Sequence, residues 1–346
     1  MSLALSRGAN VLKQRWALSA LIAASILVVF GALILAGAPP GQTLADLIKG
    51  SLGSARAITG TLREVTPLLI SGVAVFLALK AGLFNIGVEG QFTVGGLACA
   101  AVAIHSPGPA GMVGGIVAGV IAGGLWALPA AAIKAYQGGH EVITTIMLNN
   151  VAGLLTTAVV AGPLKAPDSE SPTTSLVTKA TFLPDLVQVG DLTISSGLLL
   201  GLILAGWVGW WLSRTVAGYE LRVVGANPTA AEFAGINRRA VIMKAMLWSG
   251  AIGGFAGSVQ VLAFEHRFYP SLSSGYGFDA LGVALLGGAT PAGMIPSSLL
   301  FGVLNKGGTS IQVLDQVPKG ITLVILGLLI VIAGAIRYRK LAASDG

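Results

Sequence analysis

The sequence predicts an all-α integral membrane protein with about ten transmembrane helices, some of them discontinuous, and a short cytoplasmic helix. Its 346 residues are 54% hydrophobic and only 10% charged, with a mean hydropathy of +0.83. Soluble domains usually carry about a quarter charged residues, and apolar runs near the length of a bilayer crossing recur along this chain. The 49 glycines suit the close packing of helices in lipid.

The first apolar run, 17–36, follows three basic residues and predicts an uncleaved helix whose N-terminus lies in the cytoplasm. A cleaved signal peptide, whose apolar region is usually about 7–15 residues long, is the alternative. Further candidate spans follow at 64–81, 92–105, 110–133, 141–161, 194–213, 241–263, 277–290, 292–305 and 319–336. An even number of spans places the C-terminus in the cytoplasm too, which agrees with the basic sequence RYRK near the end.

These spans divide the chain into a cytoplasmic N-terminal segment (1–16), a transmembrane domain (17–336) and a cytoplasmic tail (337–346). Within the transmembrane domain, 163–193 is rich in acids, prolines and hydroxyl side chains. It predicts an extracytoplasmic loop, either passively solvated or a docking surface for an outside partner. The charged stretch 214–240 predicts a cytoplasmic loop.

Polar side chains interrupt the apolar sequence at 79–100, where Asn85, Glu89 and Gln91 lie among several glycines. A carboxylate at membrane depth is costly and normally faces protein or a water-filled path. The stretch therefore predicts a discontinuous helix beside a translocation path, with a solvated cytoplasmic turn around Glu89 as the alternative.

A later stretch, 274–293, repeats this pattern with Asp279 among glycines. Interrupted segments in two halves of a transporter point to a transport site between them. The candidates 277–290 and 292–305 are short, and they are either two crossings or two half-helices that enter the membrane and turn back. Half-helices persist at membrane depth only when protein covers them or when they line a water-filled cavity.

A path for a neutral polar solute needs hydrogen-bonding side chains and little fixed charge. On the predicted helix 141–161, Thr145 and Asn149 share one face, and Asn150 follows them. Interhelical hydrogen bonding is the other role open to the two asparagines. The full set of candidate path residues is Asn85, Glu89, Gln91, Thr145, Asn149 and Asn150.

Other functional classes find little support in the residues. The pair His140–Glu141 lacks the second histidine of a zinc motif, and no phosphate-binding loop or nucleophile–His–acid arrangement occurs. The single cysteine, Cys99, lies in an apolar run and predicts a packed thiol. The net charge of +7 is spread along the flanks of apolar runs, which argues against nucleic acid as a partner. We therefore expect no enzyme, no metal site and no bound cofactor.

A short helix is predicted in the cytoplasmic loop. Asn227 is a good N-cap, Pro228 suits the first helical position, and Gly235 is a natural stop. About two turns of helix are not stable alone in water, so this helix must lie on another surface. Its one large apolar side chain, Phe233, can anchor in the groove of another protein. The alternative is a short helix packed only on its own membrane domain.

Here the sequence resembles a known family. GYELRVVGANPTAAEFAGI (218–236) is similar to the cytoplasmic coupling segment of permease subunits in bacterial ABC importers, in the family that includes branched-chain amino acid and ribose permeases. NIGVEGQ (85–91) and HEVITTIMLNN (140–150) resemble its nucleoside and simple-sugar branch. The resemblance covers roughly 60–335. It departs from the family at His140, where we expect asparagine more often.

The resemblance implies a permease in the bacterial inner membrane that works with a second permease subunit, cytoplasmic ATPase subunits and an extracytoplasmic substrate-binding protein. ATP and magnesium would bind to the ATPase and not to this chain. Nucleosides are the expected solutes, with simple sugars as the alternative, and an ion-coupled secondary transporter is a competing class. The implied ATPase-coupling residues are Glu220, Arg222, Gly225, Asn227, Pro228, Ala231, Phe233 and Gly235.

Overall fold

A computed structural model of the chain describes residues 24–25, 27–318, 320–325, 327–328, 330–332 and 335. The predicted terminal segments 1–16 and 337–346, and part of the first and last predicted spans, lie outside these residues. The described part is mostly helical, as predicted for an all-α membrane protein. It also contains one small sheet that the sequence did not predict.

The helices are α1 (Leu27–Leu35), α2 (Pro40–Leu52), α3 (Ala55–Lys80), α4 (Val88–His105), α5 (Pro109–Gln137), α6 (Glu141–Ala161), α7 (Ser196–Arg214), α8 (Val216–Ala226), α9 (Pro228–Phe233), α10 (Arg238–Val259), α11 (Tyr276–Leu286), α12 (Pro291–Leu314) and α13 (Gly320–Ile332). Strands β1 (Asp185–Val189) and β2 (Leu192–Ser195) form an antiparallel hairpin between α6 and α7.

Five helices of the described chain are long and apolar enough to cross a bilayer: α3, α5, α6, α7, and α10 with the turn that extends it to Glu265. A sixth span is possible if α1 and α2, which meet at an angle of 98°, are counted together. The number of ten spans therefore stays a prediction. Helices α2 and α8 were not predicted.

The two short candidate spans turn out to be unequal. Helix α11 has 11 residues, a length of about 16 Å, which is roughly half the thickness of the hydrocarbon core. Helix α12 has 24 residues, about 36 Å, and is long enough to cross. The half-helix interpretation therefore fits α11 by length. Helix α12 is longer than a half-helix, but it is not among the described helices that are apolar enough to cross a bilayer, so the choice between a crossing and a half-helix stays a prediction there.

The chain divides into two compact units, one formed by Met1–Thr61 with Val303–Gly346 and the other by Leu62–Gly302. In the first unit, the end of α12 lies on α2. Ser310 Oγ donates a hydrogen bond to the carbonyl oxygen of Gly50 at 3.3 Å. Thr61 Oγ1 donates to the carbonyl oxygen of Ser51 at 2.7 Å, which joins α3 to α2.

The core of the second unit is the contact of α4, α5 and α10, and glycines let these helices approach closely. A Cβ atom on Gly254 would collide with the carbonyl oxygen of Gly119, and one on Gly95 would collide with the Cα atom of Gly254. This packing of backbone on backbone is how small residues associate helices in lipid.

The predicted loop 163–193 is ordered by hydrogen bonds to the chain that follows α10. The backbone nitrogen of Thr174 donates a hydrogen bond to the carbonyl oxygen of Phe268 at 3.0 Å. The backbone nitrogen of Val177 donates one to the carbonyl oxygen of His266 at 2.8 Å. The ring of Phe182 stacks on His266, with 3.5 Å between the ring centroids. Burial, and then the positive charge of Arg63, lower the pKa of His266 below its usual range. The loop is therefore ordered against the chain that follows α10, and its role as a docking surface stays a prediction.

Candidate functional site

The chain between α3 and α4 leaves the helical conformation at 81–87, where buried and more exposed residues alternate. Asn85 is fully buried, and its Nδ2 donates to Ser249 Oγ at 2.8 Å. Ser249 lies on α10, which begins at Arg238, so it is about 16 Å from the end of that helix at 1.5 Å per residue. The break therefore reaches well into the span, and α4 starts inside the protein.

A closed network of polar side chains stabilises this break. Asn85 and Gln91 exchange two hydrogen bonds, of 3.0 and 3.1 Å, and Asn85 Oδ1 also accepts from the backbone nitrogen of Gly87 at 3.0 Å. Ser249 Oγ in turn donates to the carbonyl oxygen of Ala74 at 2.7 Å. Because buried polar groups are costly without partners, this network fixes the break as one defined conformation.

Glu89 lies on the first turn of α4 and reaches the first turn of α11. Its Oε2 accepts a hydrogen bond from the backbone nitrogen of Gly277 at 2.8 Å. The two predicted polar stretches, 79–100 and 274–293, are therefore in contact through Glu89, and its carboxylate is bound to protein. The solvated-turn interpretation of Glu89 is not what the structure shows.

A second carboxylate binds α11 at Tyr276, the residue before Gly277. Glu64 Oε2, on α3, accepts from the hydroxyl of Tyr276 at 2.9 Å. The ring of Tyr276 also lies against Phe92 of α4, with 5.9 Å between the ring centroids. The start of α11 is thus held by α3 on one side and by α4 on the other.

The two asparagines of α6 have different environments. Asn149 Oδ1 accepts from the backbone nitrogen of Gly90 at 2.9 Å, and its Nδ2 donates to the carbonyl oxygen of Ile86 at 3.0 Å. Asn150 is exposed and donates only within its own helix, to Ile146 at 3.1 Å. Asn149 therefore joins helices, whereas Asn150 presents an amide on the outer face of α6.

Thr145 and Glu141 lie on the buried side of α6. The Thr145 hydroxyl donates to the carbonyl oxygen of Glu141 at 2.8 Å. The Glu141 carboxylate lies 2.7 Å from Lys134 Nζ at the end of α5 and accepts from the backbone nitrogen of Phe84 at 3.4 Å. This ion pair joins α5 and α6 to the break. The neighbouring His140 is exposed and makes no side-chain cap.

The structure confirms the short helix and its local geometry as α9. Asn227 Oδ1 accepts from the backbone nitrogen of Ala230 at 3.0 Å, Pro228 is the first helical residue, and Gly235 has a φ of +79°. Ala231 is fully buried, whereas Phe233 is 89% exposed. One side of α9 therefore lies on this chain, and Phe233 points away from it.

Other residues of the predicted coupling segment face inward. A Cβ atom on Gly225 would collide with the carbonyl oxygen of Lys80, and Gly225 also lies against Gly82. The end of α8 is therefore in backbone contact with the start of the break. An ion pair of 3.7 Å joins Glu232 of α9 to Arg238 of α10. Two further residues of the predicted coupling segment lie on α8: Arg222 is exposed and Glu220 is half-buried.

Within the described part of the chain, no group of three or more His, Cys, Asp or Glu side chains could hold a metal ion. Cys99 is free and buried.

Sequence reasoning missed three residues of this region: Glu64, Ser249 and Tyr276. Glu64 is the first residue of the predicted span 64–81, where an acidic residue looks like an ordinary span boundary. Ser249 and Tyr276 carry no local signal, because each becomes notable only through a partner far away in the sequence.

The chain matches one family model and is similar to several known proteins. Residues 57–334 match the model of a family described as the permease component of branched-chain amino acid transport systems. The chain is 34% identical to the guanosine ABC transporter permease protein NupP of Bacillus subtilis, over 92% of this chain and 94% of that protein.

Two further relatives cover most of the chain. The glucose ABC transporter permease protein TsgB13 of Haloferax volcanii is 32% identical over 86% of this chain and 81% of its own length. The nucleoside ABC transporter permease protein NupB of Lactococcus lactis is 31% identical over 92% of this chain and 90% of its own length. By the extent of the family match, this chain belongs to the family of branched-chain amino acid transport system permease components.

Proposed function

We propose that this chain is the permease subunit of an ABC importer that moves a small neutral polar solute inward, with nucleosides as the solute class. It performs no chemistry itself. ATP and magnesium bind to a cytoplasmic ATPase, a second permease subunit completes the path, and an extracytoplasmic substrate-binding protein delivers the solute. In this arrangement both termini of the chain lie in the cytoplasm.

The observation that carries the proposal is the position of α8 and α9 relative to the break. Phe233 is 89% exposed on α9, and α8 ends in backbone contact with Lys80 and Gly82. A partner that binds Phe233 therefore acts, through a few packed residues, on the conformation of the break. Such a surface suits an ATPase whose ATP-bound and ATP-free states hold two conformations of the permease.

The coupling residues then fall into two groups. Phe233 and the exposed Arg222 are available to the ATPase, whereas Gly225 and Ala231 act within the chain by setting how α8 and α9 lie on it. Asn227, Pro228 and Gly235 fix the ends of α9, and the half-buried Glu220 lies on α8.

The relatives support nucleosides as the solute. Two of the proteins described above are named for guanosine and for nucleosides, and the chain matches each over 92% of its length. The relative named for glucose favours simple sugars as the second candidate. All three names specify ABC transporter permeases, which favours this class over an ion-coupled transporter.

We place the solute path along the side of α6 that carries Asn150, near the break. An exposed amide in the middle of a lipid-facing span is unfavourable, so this face is better suited to a polar path or to the second permease. Asn85, Gln91, Thr145 and Asn149 support the walls of this path, because their hydrogen-bonding groups are already bound to protein.

The central test is Phe233→Asp in the complete transporter, with copurification of the ATPase and uptake of radiolabelled guanosine as the readouts. Because Phe233 is exposed, the variant should insert and fold normally but lose most ATPase association and uptake. Leu176→Asp, a matched control in the loop 163–193 with 59% of the side chain exposed, should leave ATPase association intact. Normal uptake by the Phe233 variant would refute the coupling role.

A second test separates the transporter classes. The purified chain alone, in vesicles with an imposed proton or sodium gradient, should accumulate no guanosine or glucose, because the energy source is on another subunit. Accumulation driven by either gradient would establish an ion-coupled transporter instead. In the complete transporter, competition between labelled guanosine and unlabelled glucose decides between the two solute classes.

A further inference from the structure

The start of α11 is unusual in two ways: in the backbone conformation of the residues before it and in the group that caps its first turn. Ser274 and Gly275, the two residues before it, have φ values of 48° and 97°, in the left-handed region that side chains disfavour. The N-cap residue Gly275 has no side chain to accept hydrogen bonds from the first turn. The free backbone nitrogens of a helix start need such acceptors, and here a distant residue supplies one.

That residue is Glu89, which lies 188 positions earlier and accepts from the backbone nitrogen of Gly277. Gly277 itself permits this contact, because a Cβ atom there would collide with the backbone nitrogen and Cα of Glu89. One residue before it, the Tyr276 hydroxyl donates to Glu64. Two glutamates on two helices therefore hold two consecutive residues of a half-helix.

These contacts complete a continuous route through the second unit. Gly225 of α8 lies on Gly82, the break 81–87 leads from there into α4, and Glu89 on the first turn of α4 binds α11. Each step is a backbone contact, a covalent segment or a hydrogen bond. A movement of α8 thus has a physical connection to the start of α11.

We propose that Glu89 and Glu64 are positioning residues that hold the start of α11 against α4 and α3, so that movement arriving through the break is passed on to α11. This inference rests on the proposed function, since the movement comes from an ATPase acting on α8 and α9. Without the two glutamates, α11 does not move together with the break. The ATPase then continues to hydrolyse ATP while fewer solute molecules cross.

The first measurement is the number of ATP molecules hydrolysed per guanosine imported, in vesicles that contain the complete transporter. Glu89→Ala should raise this ratio at least fivefold while ATPase copurification stays normal. Glu89→Gln keeps an acceptor oxygen for Gly277 and should stay within twofold of the unmodified protein. A residue with a merely structural role would lower uptake and ATP hydrolysis together and leave the ratio unchanged.

The Tyr276–Glu64 bond is tested by a double-mutant cycle. Tyr276→Phe and Glu64→Ala each remove the same hydrogen bond and should each raise the ratio. The double variant should be no worse than Glu64→Ala alone, because the shared interaction can be lost only once. Fully additive effects would show that the two residues do not act through this bond and would overturn their part of the proposal.

A second readout does not depend on transport. Hydrogen exchange of peptides covering 271–286, measured by mass spectrometry on the purified chain, should become at least threefold faster in Glu89→Ala and not in Glu89→Gln. Unchanged exchange, equal effects of the two variants, or faster exchange with an unchanged ATP ratio would each overturn the inference. If the unmodified transporter shows no ATP-driven uptake, the proposed function fails and the positioning of α11 in transport fails with it, while exchange still decides whether Glu89 holds α11.

Discussion

At the scale of single residues, Asn85 forms hydrogen bonds with three partners and so holds a break in a membrane-embedded chain. Its amide binds Gln91 in both directions, donates to Ser249 and accepts from the backbone of Gly87. No apolar residue of similar size can replace all of these bonds. The sequence identified Asn85 and Gln91 as polar residues in an apolar stretch, but it could not show that they bind each other.

We predict that Asn85→Leu strongly destabilises the chain. It leaves the side-chain amide of Gln91 and the backbone nitrogen of Gly87 without the hydrogen bonds of Asn85, at roughly 1–3 kcal/mol each, so the midpoint of thermal unfolding in detergent should fall by about 5 °C or more. Asn150→Leu is the matched control, because Asn150 is exposed and bonds only its own helix. Equal midpoints for both variants would contradict the role of the network.

At the scale of elements, the packing of α4, α5 and α10 depends on the absence of side chains at a few positions. Gly254 on α10 lies directly on the backbone of Gly119 on α5. The small-residue content was visible in the sequence and correctly suggested close helix packing. Which glycines lie at helix contacts, and which merely face outward, depends on how the helices are rotated about their axes.

Gly254→Ala should therefore disrupt this packing, because its Cβ atom has no space unless a helix moves, which typically costs about 1–3 kcal/mol. Gly153→Ala on α6 is the matched control, since no atom lies within 4 Å of its Cβ position. Alanine there should be neutral or raise helix stability by up to about 1 kcal/mol. Thermal unfolding of both variants in detergent, as isolated chains, measures the difference. A Gly254 variant as stable as the Gly153 variant would show that the contact is adjustable.

At the scale of the whole molecule, the hairpin β1–β2 and the helix α9 belong on opposite sides of the membrane if the proposed orientation is correct. The single cysteine makes this easy to test, because Cys99 is buried and can be replaced by alanine. In that background, Gln188→Cys places a thiol on the exposed strand β1, and Phe233→Cys places one on α9.

A thiol reagent that cannot cross membranes should label the cysteine at position 188 in right-side-out membrane vesicles and leave the one at position 233 unlabelled. Inverted vesicles should give the reverse pattern. Labelling of both positions from the same side would contradict the proposed orientation, and labelling of position 233 alone in right-side-out vesicles would invert it. Detergent-solubilised protein, in which both thiols should react, is the control for reactivity.

The sequence by itself determined the features that depend on neighbouring residues. Hydropathy located the five long spans, because burial in lipid selects apolar residues along a continuous stretch. Asn227, Pro228 and Gly235 located α9, because helix ends are set by local backbone chemistry. The motifs around 85–91, 140–150 and 218–236 indicated the family, which the match over 57–334 confirms.

Only the tertiary structure decided which polar residues bind each other. Glu89 and Gly277 are 188 positions apart, and Asn85 and Ser249 are 164 apart. Their pairing depends on the rotation and depth of α4, α10 and α11, which no local pattern encodes. The same holds for the unequal lengths of α11 and α12. Local patterns mark a polar residue in a membrane as costly, but the partner that offsets this cost is chosen when the helices pack.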